Sequence, residues 1–203
     1  MRYLPLRRAA YFIVAVIASA IITGCAQSAG PNNTPFVPSA AHRAPRTTVS
    51  PVIHSFGSGT DGAYPQSELL YHDGLFYGTT SEGGKNKAGT VFSIDANGKE
   101  TVLHSFGNGR DGSRPLAGLT DVAGTLYGAA TSGGYRECNV TVGPGCGTLF
   151  KITTSGSFGV VHKFTGTDGA VPQGALVQVG SSLYGTTFQG GAKNVGTVFS
   201  LKP

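Results

Sequence analysis

The sequence lacks tryptophan, has one methionine and three cysteines, and is poor in charge, since Asp, Glu, Lys and Arg make up 12% of its 203 residues. Only Cys138 and Cys146 follow the cysteine at position 25, and two cysteines are too few for a zinc site of their own. The N-terminal apolar run, residues 9–23, is 15 residues long, whereas a membrane-spanning helix needs about 20. These shortages exclude a cysteine-ligated zinc protein and make the apolar run too short to span a membrane.

The sequence also lacks the GxSxG and HExxH motifs, and its paired glycines are not followed by the Lys-Ser/Thr and helix of a phosphate-binding loop. Three of its 15 basic residues are Arg2, Arg7 and Arg8, which leaves 12 basic against 10 acidic residues in the rest of the chain. This balance is ordinary and shows no basic cluster, so we expect no nucleic-acid partner. Nothing in the composition indicates a cofactor or a particular reaction.

The N-terminal segment has the form of a secretory signal, because arginines precede a short apolar run that ends at small residues. The string Ile22-Thr23-Gly24-Cys25 resembles the lipobox of bacterial lipoproteins, although the family usually has Leu where this chain has Ile22. The resemblance implies that Cys25 carries lipid and becomes the first residue of the mature protein. An ordinary secretory signal with a coincidental cysteine is the alternative.

These features predict three parts: a lipoprotein signal peptide at 1–24, a disordered tether rich in Pro, Ser and Ala at 25–49, and a folded domain at 50–203. Ala26 follows the cysteine, rather than the Asp that favours inner-membrane retention. We therefore expect a protein of the bacterial cell envelope, held on the outer membrane through its lipid anchor. Export to an oxidising compartment also predicts a disulfide between Cys138 and Cys146, with two free thiols as the alternative.

Internal repetition is the strongest pattern in the chain. Three copies of a His-containing segment begin VIHSF at Val52, VLHSF at Val102 and VVHKF at Val160. Each is followed by Asp-Gly-x-x-Pro, a Tyr-Gly segment, a Gly-Gly pair and a string such as GTVFSI. An insertion, residues 135–147, lengthens the second spacing.

Apolar residues alternate within each repeat, as strands require and helices do not. Turn residues such as His72-Asp73-Gly74 separate the alternating runs. One repeat therefore predicts four antiparallel strands, at about 67–71, 75–80, 89–94 and 101–106. We expect an all-β fold of three such repeats, similar to a β-propeller, in which each Asp-Gly-x-x-Pro crosses to the next blade.

The first copy, residues 52–56, has no blade of its own, and the last repeat ends without a fourth strand. We therefore expect residues 52–56 to pair with 196–201 and close the ring, which would remove an exposed edge. Three blades are fewer than the usual four to eight. The alternatives are two chains that form a larger ring, and a β-trefoil.

The repeated string LYGTT…GG…GTVFSI…VLHSF…DG…P resembles the GloVer tandem repeat, a bacterial extracytoplasmic repeat that is found behind various surface anchors. The resemblance covers residues 52–203, essentially the whole predicted domain. It implies an extracytoplasmic repeat protein and no particular activity.

Repeated side chains are the natural candidates for a site. Three histidines could form a metal site if they converged, but we favour hydrogen bonds to neighbouring loops and predict no metal; they are His54, His104 and His162. Three aspartates that precede glycine are interpreted as structural turns: Asp61, Asp111 and Asp168. If a ligand binds, three tyrosines are the candidate residues, although we favour packing between neighbouring blades as their role: Tyr77, Tyr127 and Tyr184.

We expect a lipid-anchored protein, monomer or homodimer, that binds a glycan or an envelope protein and is not an enzyme. One alternative is a polysaccharide hydrolase or lyase with carboxylates such as Glu68 or Glu137 at the axial mouth of the propeller. The other is a purely structural envelope component. The repeats would form the scaffold. The insertion, residues 135–147, has no counterpart in the other repeats and is therefore a candidate for ligand specificity.

Overall fold

A computed structural model describes residues 52–107, 110–135, 137, 138 and 144–203. Thirteen β-strands and no helix lie in these residues. No helix in the same ranges is able to cross a membrane. The predicted all-β class is confirmed, whereas the predicted signal peptide, the predicted lipid-bearing Cys25 and the predicted tether lie outside the described residues.

Sheet 1 is built from the first repeat. Its strands are β1 (Gly62–Pro65), β2 (Leu70–His72), β3 (Leu75–Gly83), β4 (Thr90–Ile94) and β5 (Glu100–Ser105). The long strand β3 pairs with β1 along its C-terminal half and with β2 along its N-terminal half. Strands β4 and β5 follow in antiparallel order, so the predicted meander is confirmed for the second, third and fourth strands.

Sheets 2 and 3 repeat this order. Sheet 2 contains β6 (Thr120–Val122), β7 (Thr125–Ala130), β8 (Thr148–Thr153) and β9 (Phe158–Lys163). Sheet 3 contains β10 (Ala170–Pro172), β11 (Val177–Val179), β12 (Ser182–Gln189) and β13 (Thr197–Leu201). Within the described residues, β13 pairs only with β12, so sheet 3 has no strand in the place of β5 and β9.

The first strand of the repeat differs from its prediction, because it is split into β1 and β2 rather than continuous from 67 to 71. The first piece, β1, includes part of the predicted crossing. The residue before the proline has a left-handed backbone in every repeat: φ is 56° at Tyr64, 55° at Arg114 and 61° at Val171. This conformation bends the chain out of strand geometry, and the proline after it has no N–H to donate to a ladder.

The three sheets pack face to face. One apolar cluster joins sheets 1 and 2 and includes Tyr77, Val91, Leu126, Phe150 and Ile152. A second cluster joins sheets 2 and 3 in the same manner, through residues such as Tyr127, Leu149, Leu176 and Leu183. Sheets 1 and 2 are consequently buried on the faces that meet a following sheet, as expected for stacked blades.

The predicted pairing of residues 52–56 with 196–201 is not formed, although both segments are described. Residues 52–56 have no strand assignment and contact sheet 1 instead. The Phe56 ring lies 5.0 Å from that of Phe92, and the Ile53 carbonyl lies against Gly98. Phe106 and Phe150 make the equivalent contact between sheets 1 and 2, at 5.2 Å. Residues 52–56 thus lie on sheet 1 without pairing to any described strand, the second edge of β13 is open, and no closed ring of three blades is found.

Candidate functional site

A histidine–aspartate pair recurs beside each repeat. The distance from His Nε2 to Asp Oδ2 is 3.3 Å for His54 and Asp61, 3.0 Å for His104 and Asp111, and 2.8 Å for His162 and Asp168. Each histidine therefore bonds to the aspartate that follows it in sequence rather than to another histidine. Of the three, only His54 belongs to a group of metal-ligand type within the described residues.

The aspartates also hold the loop between histidine and aspartate. Asp61 accepts hydrogen bonds from the Gly57 and Gly62 N–H groups, at 3.1 and 2.6 Å. Asp111 and Asp168 accept the equivalent bonds from the N–H groups of Gly107 and Thr165, at 3.3 and 2.8 Å. These contacts place the three aspartates in turns, with most of the bonds reaching back along the chain rather than forward.

Repeats 1 and 2 differ in the residue that contacts the histidine in addition to its aspartate. The His104 ring stacks on Phe158 at 3.6 Å, and burial lowers the pKa of His104 against the opposing effect of Asp111. Phe158 pairs with Ile152, and the residue that pairs with the equivalent Ile94 in sheet 1 is Glu100. Repeat 1 thus has a carboxylate where repeat 2 has an aromatic ring.

His54, Asp61 and Glu100 form one compact group, called the HDE cluster below. The His54 Nε2 atom lies 3.3 Å from Asp61 Oδ2 and 3.7 Å from Glu100 Oε2. The donor atoms of all three residues lie within 4.8 Å of one another. Sequence reasoning missed Glu100, because it lies outside the repeated strings; its place opposite Ile94 in the ladder was the signal that could have found it.

Two carboxyl groups share the HDE cluster. Burial raises the pKa of Glu100 to about 7, and the carboxylate of Asp61 beside it contributes to the shift. For Asp61, burial acts upward on the pKa, but bonding to Glu100 and to the Gly62 and Gly57 N–H groups brings it below its ordinary value. Asp61 is therefore the ionised member of the pair, and Glu100 is the member that holds a proton more readily.

An open cavity of about 360 Å³ is lined by residues in or directly before β2, β6 and β11. The same repeat position contributes Glu68, Gly118 and Ala175 to its lining. Asp121 also lines the cavity, but its carboxylate already bonds to His72 Nδ1, at 2.9 Å, and to the Gly124 N–H. Glu68 is the remaining carboxylate in this cavity.

The three candidate tyrosines do not line a common surface. Tyr77 is buried between sheets 1 and 2, and Tyr127 is buried between sheets 2 and 3. Tyr184 occupies the same repeat position in sheet 3 but is 42% exposed, because no sheet covers it.

Tyr184 belongs to an apolar surface on the outer side of sheet 3. Burial alternates strictly along the middle of β12, and every second residue points away from sheet 2. Phe188 of β12 lies on the same side as Tyr184, and the pairing of β11 and β13 with β12 places three more apolar side chains there. The C-terminal face consists of Val177, Val179, Tyr184, Phe188 and Val198, all of them exposed.

The insertion carries the predicted disulfide. Cys138 and Cys146 are bonded, with a Cα–Cα distance of 5.4 Å, and Cys146 is buried in the cluster between sheets 2 and 3. Glu137 accepts a hydrogen bond from the Tyr135 hydroxyl, at 2.9 Å, and lines a second cavity together with Lys163. Glu68 and Glu137 thus lie in separate cavities, so these two carboxylates do not face each other across one cleft.

Three similar sheets, stacked in chain order and joined by repeated His–Asp turns, define an all-β tandem-repeat protein. The chain belongs to the Gloeobacter/Verrucomicrobia repeat family, whose model matches residues 22–199. The predicted family membership is confirmed. No curated protein matches the sequence.

Proposed function

We propose that this protein is a lipid-anchored, extracytoplasmic module that acts by binding and not by catalysis, and that the partner of its C-terminal face is a second copy of the same chain. The observation that carries the proposal is the exposure of the C-terminal face. Val198 is 79% exposed, whereas the residues at the same repeat position, Val91 and Leu149, are 0% and 1% exposed because the next sheet covers them. The C-terminal face therefore has the composition of a sheet surface at an internal junction, but no further sheet covers it.

The other end of the array supplies a matching surface. Leu69, directly before β2, is exposed, although the equivalent Leu119 and Leu176 are buried at the two internal junctions. The segment that precedes sheet 1, residues 52–56, has the sequence of a fourth strand but pairs with no strand in the described part of the chain. Two copies arranged head to tail would place the segment of one copy beside β13 of the other.

The internal junctions predict the register of this contact. In sheet 1, Val91 pairs with His104 and Thr90 with Ser105; in sheet 2, Leu149 pairs with His162. By repeat equivalence, Val198 of one copy would pair with His54 of the other, and Thr197 with Ser55. Backbone hydrogen bonds would then satisfy the open edge of β13, which is otherwise a site for unspecific association.

A second copy fits better than closure within one chain. Residues 52–56 contact Phe92, Asp61 and Gly98 and are not paired with β13 of the same chain. Propellers have four to eight blades, so three sheets fall below the range and six sheets from two chains fall within it. A heterologous contact of this kind closes when two identical junctions form.

The test is the mass of the full chain in detergent solution. We expect two chains per particle, and one chain after Val198→Glu, because the substitution would bury a charge without a partner. Gln178→Glu is the matched control: it adds the same charge on β11, opposite Leu183 on the side away from the C-terminal face, and is expected to leave the mass unchanged. A wild-type mass of one chain would contradict the proposal.

Cysteine cross-linking separates a second copy from closure within one chain. Ser55→Cys and Thr197→Cys variants are prepared separately, mixed, dissociated and reassembled. We expect a disulfide-linked pair of chains from the mixture, and none from either variant alone at this register. A link that forms only when both substitutions are in one chain, without a change of mass, would show self-closure instead.

The anchor is tested at Cys25. Cys25→Ser is expected to abolish incorporation of labelled palmitate and to release the protein from the membrane fraction, because no thiol remains to be acylated. The Cys138→Ser, Cys146→Ser double variant serves as the control and should still be labelled. Acyl labelling that persists in Cys25→Ser would overturn the lipid anchor and leave an ordinary secretory signal.

We do not propose a polysaccharide hydrolase or lyase that uses Glu68 together with Glu137, because these two carboxylates line separate cavities. A glycan or another envelope protein as the partner is an alternative outcome of the same experiments. Either would bind a wild-type protein of one-chain mass and would lose binding in Val198→Glu.

A further inference from the structure

The geometry points to a binding site for one divalent transition-metal ion, such as Zn²⁺, at the HDE cluster. The ligands we infer are His54 Nε2, one carboxylate oxygen of Asp61 and one of Glu100. This inference does not depend on the proposed association of two chains, because all three residues come from one chain and contact one another within it.

The spacing of the donor atoms suits a small metal ion. Zinc bonds to imidazole nitrogen and carboxylate oxygen at about 2.0–2.2 Å, so two ligands of a tetrahedral site lie about 3.3–3.6 Å apart. The distances from His54 Nε2, 3.3 Å to Asp61 Oδ2 and 3.7 Å to Glu100 Oε2, agree with that spacing. Small side-chain movements would bring the three donor atoms around one ion.

Glu100 provides a second, independent observation. Its side chain is only 10% exposed, and its Oε1 atom is shielded from solvent and has no hydrogen-bond partner. A buried carboxylate oxygen without a partner is costly, and such atoms in native proteins commonly indicate an ion or water that satisfies them. A cation bound to Oε2, the Glu100 oxygen near His54, would compensate the charge that Oε2 shares with Oε1 and would reduce the repulsion between the two carboxylates.

The ligand set favours a transition metal over calcium or magnesium. Imidazole nitrogen together with carboxylate oxygens suits zinc, manganese or iron, whereas calcium takes six to eight oxygen ligands. Three protein ligands leave the fourth tetrahedral position for water.

Repeat 2 has the same histidine–aspartate pair but no carboxylate at the position equivalent to Glu100. His104 and Asp111 repeat the geometry of His54 and Asp61, but Phe158 stands where sheet 1 has Glu100 and stacks on the imidazole. The site is therefore specific to repeat 1, and the chain contains its own control. His104→Ala removes a histidine of the same environment that lacks the carboxylate needed for a site.

The experiment is a calorimetric titration of the chelator-treated full chain with zinc chloride. We expect one zinc ion per chain. Partners outside the first coordination sphere already contribute about 10–100-fold to affinity, so removal of a ligand by His54→Ala or Glu100→Gln should weaken binding by at least about 100-fold. His104→Ala should bind zinc with wild-type affinity.

A second variant and a second measurement separate lost binding from lost folding. Glu100→Phe copies repeat 2 and should fold but not bind zinc; melting followed by circular dichroism without metal checks the fold. Zinc should raise the melting temperature of the wild type and of His104→Ala, but not of Glu100→Phe. Absence of zinc binding by the wild type, equal losses in His104→Ala and His54→Ala, or wild-type affinity in a folded Glu100→Gln variant would each overturn the site. The same titration on Val198→Glu keeps the result independent of the association of chains.

Discussion

Phe150→Ala is expected to lower the free energy of unfolding by about 3–5 kcal/mol, which is a large part of the 5–15 kcal/mol typical of a whole domain. Phe150 is fully buried between sheets 1 and 2. Its ring lies 5.2 Å from that of Phe106 on sheet 1 and 5.5 Å from that of Phe158 on its own sheet. Truncation would therefore leave a cavity at a junction that two rigid sheets cannot close.

The matched control is Phe199→Ala, which changes the same repeat position in sheet 3. Phe199 is only partly buried and contacts one aromatic ring, that of Phe164, at 5.2 Å. Its loss should cost clearly less. Urea denaturation of both variants in the Val198→Glu background measures the difference without a contribution from association. Equal losses, or a loss below about 1 kcal/mol for Phe150→Ala, would contradict the packing described for this junction.

Gly128→Ala is expected to destabilise the protein by about 1–3 kcal/mol, the usual cost of extra volume in a packed core. Gly128 belongs to the repeated Tyr-Gly pair and lies beneath the Phe150 ring. A Cβ at this position would lie 2.5 Å from Cζ of Phe150 and 2.9 Å from Cδ2 of Leu119. Both neighbours are buried and held by other side chains, so neither can move away freely.

A control and a double variant identify the cause. Gly159→Ala adds the same methyl group on β9, where the nearest atom would be Cγ of Lys151 at 3.9 Å, and should change stability by no more than about 0.5 kcal/mol. In the Phe150→Ala background the main clash disappears, so Gly128→Ala should cost less there than in the wild type. Additive losses would show that the ring is not what requires glycine at position 128.

The equivalent positions in the other repeats explain why Tyr-Gly recurs. A Cβ at Gly78 would meet Phe92, and one at Gly185 would meet Phe199. Each repeat thus uses a missing side chain on one strand to admit an aromatic ring from the next strand. The recurrent pair is a packing device, which agrees with the burial of Tyr77 and Tyr127.

The positions that break the repeat are the ones to which we assign binding. Glu100 replaces the ring found at position 158 and completes the HDE cluster. Val198 keeps the apolar character of Val91 and Leu149 but has no sheet over it. The positions that are alike in all repeats therefore hold the sheets together. Positions that differ, either in residue type or in lacking a sheet over them, provide the proposed binding sites.

Strand positions, turn aspartates and the Cys138–Cys146 disulfide were predictable because they depend on neighbours in sequence. Alternation along β4 determines which side chains share a face, and each turn aspartate bonds to partners within seven residues of it in the chain. The two cysteines are eight residues apart. The split inner strand was not predictable in this way, because periodicity does not reveal that Tyr64 adopts a left-handed backbone before Pro65.

Residue order alone was enough to establish that this chain forms three similar antiparallel sheets, since alternation and turn residues act over a few positions. Which strand edges pair and which sheet faces pack together depends on the tertiary structure. The sequence predicts that residues 52–56 pair with β13 of the same chain, but in the structure they pack on sheet 1, against Phe92 and Gly98, and leave that edge of β13 unpaired. That choice leaves the C-terminal face uncovered and brings His54 beside Glu100, because burial and side-chain contact depend on how the sheets stack and not on the pattern within any one of them.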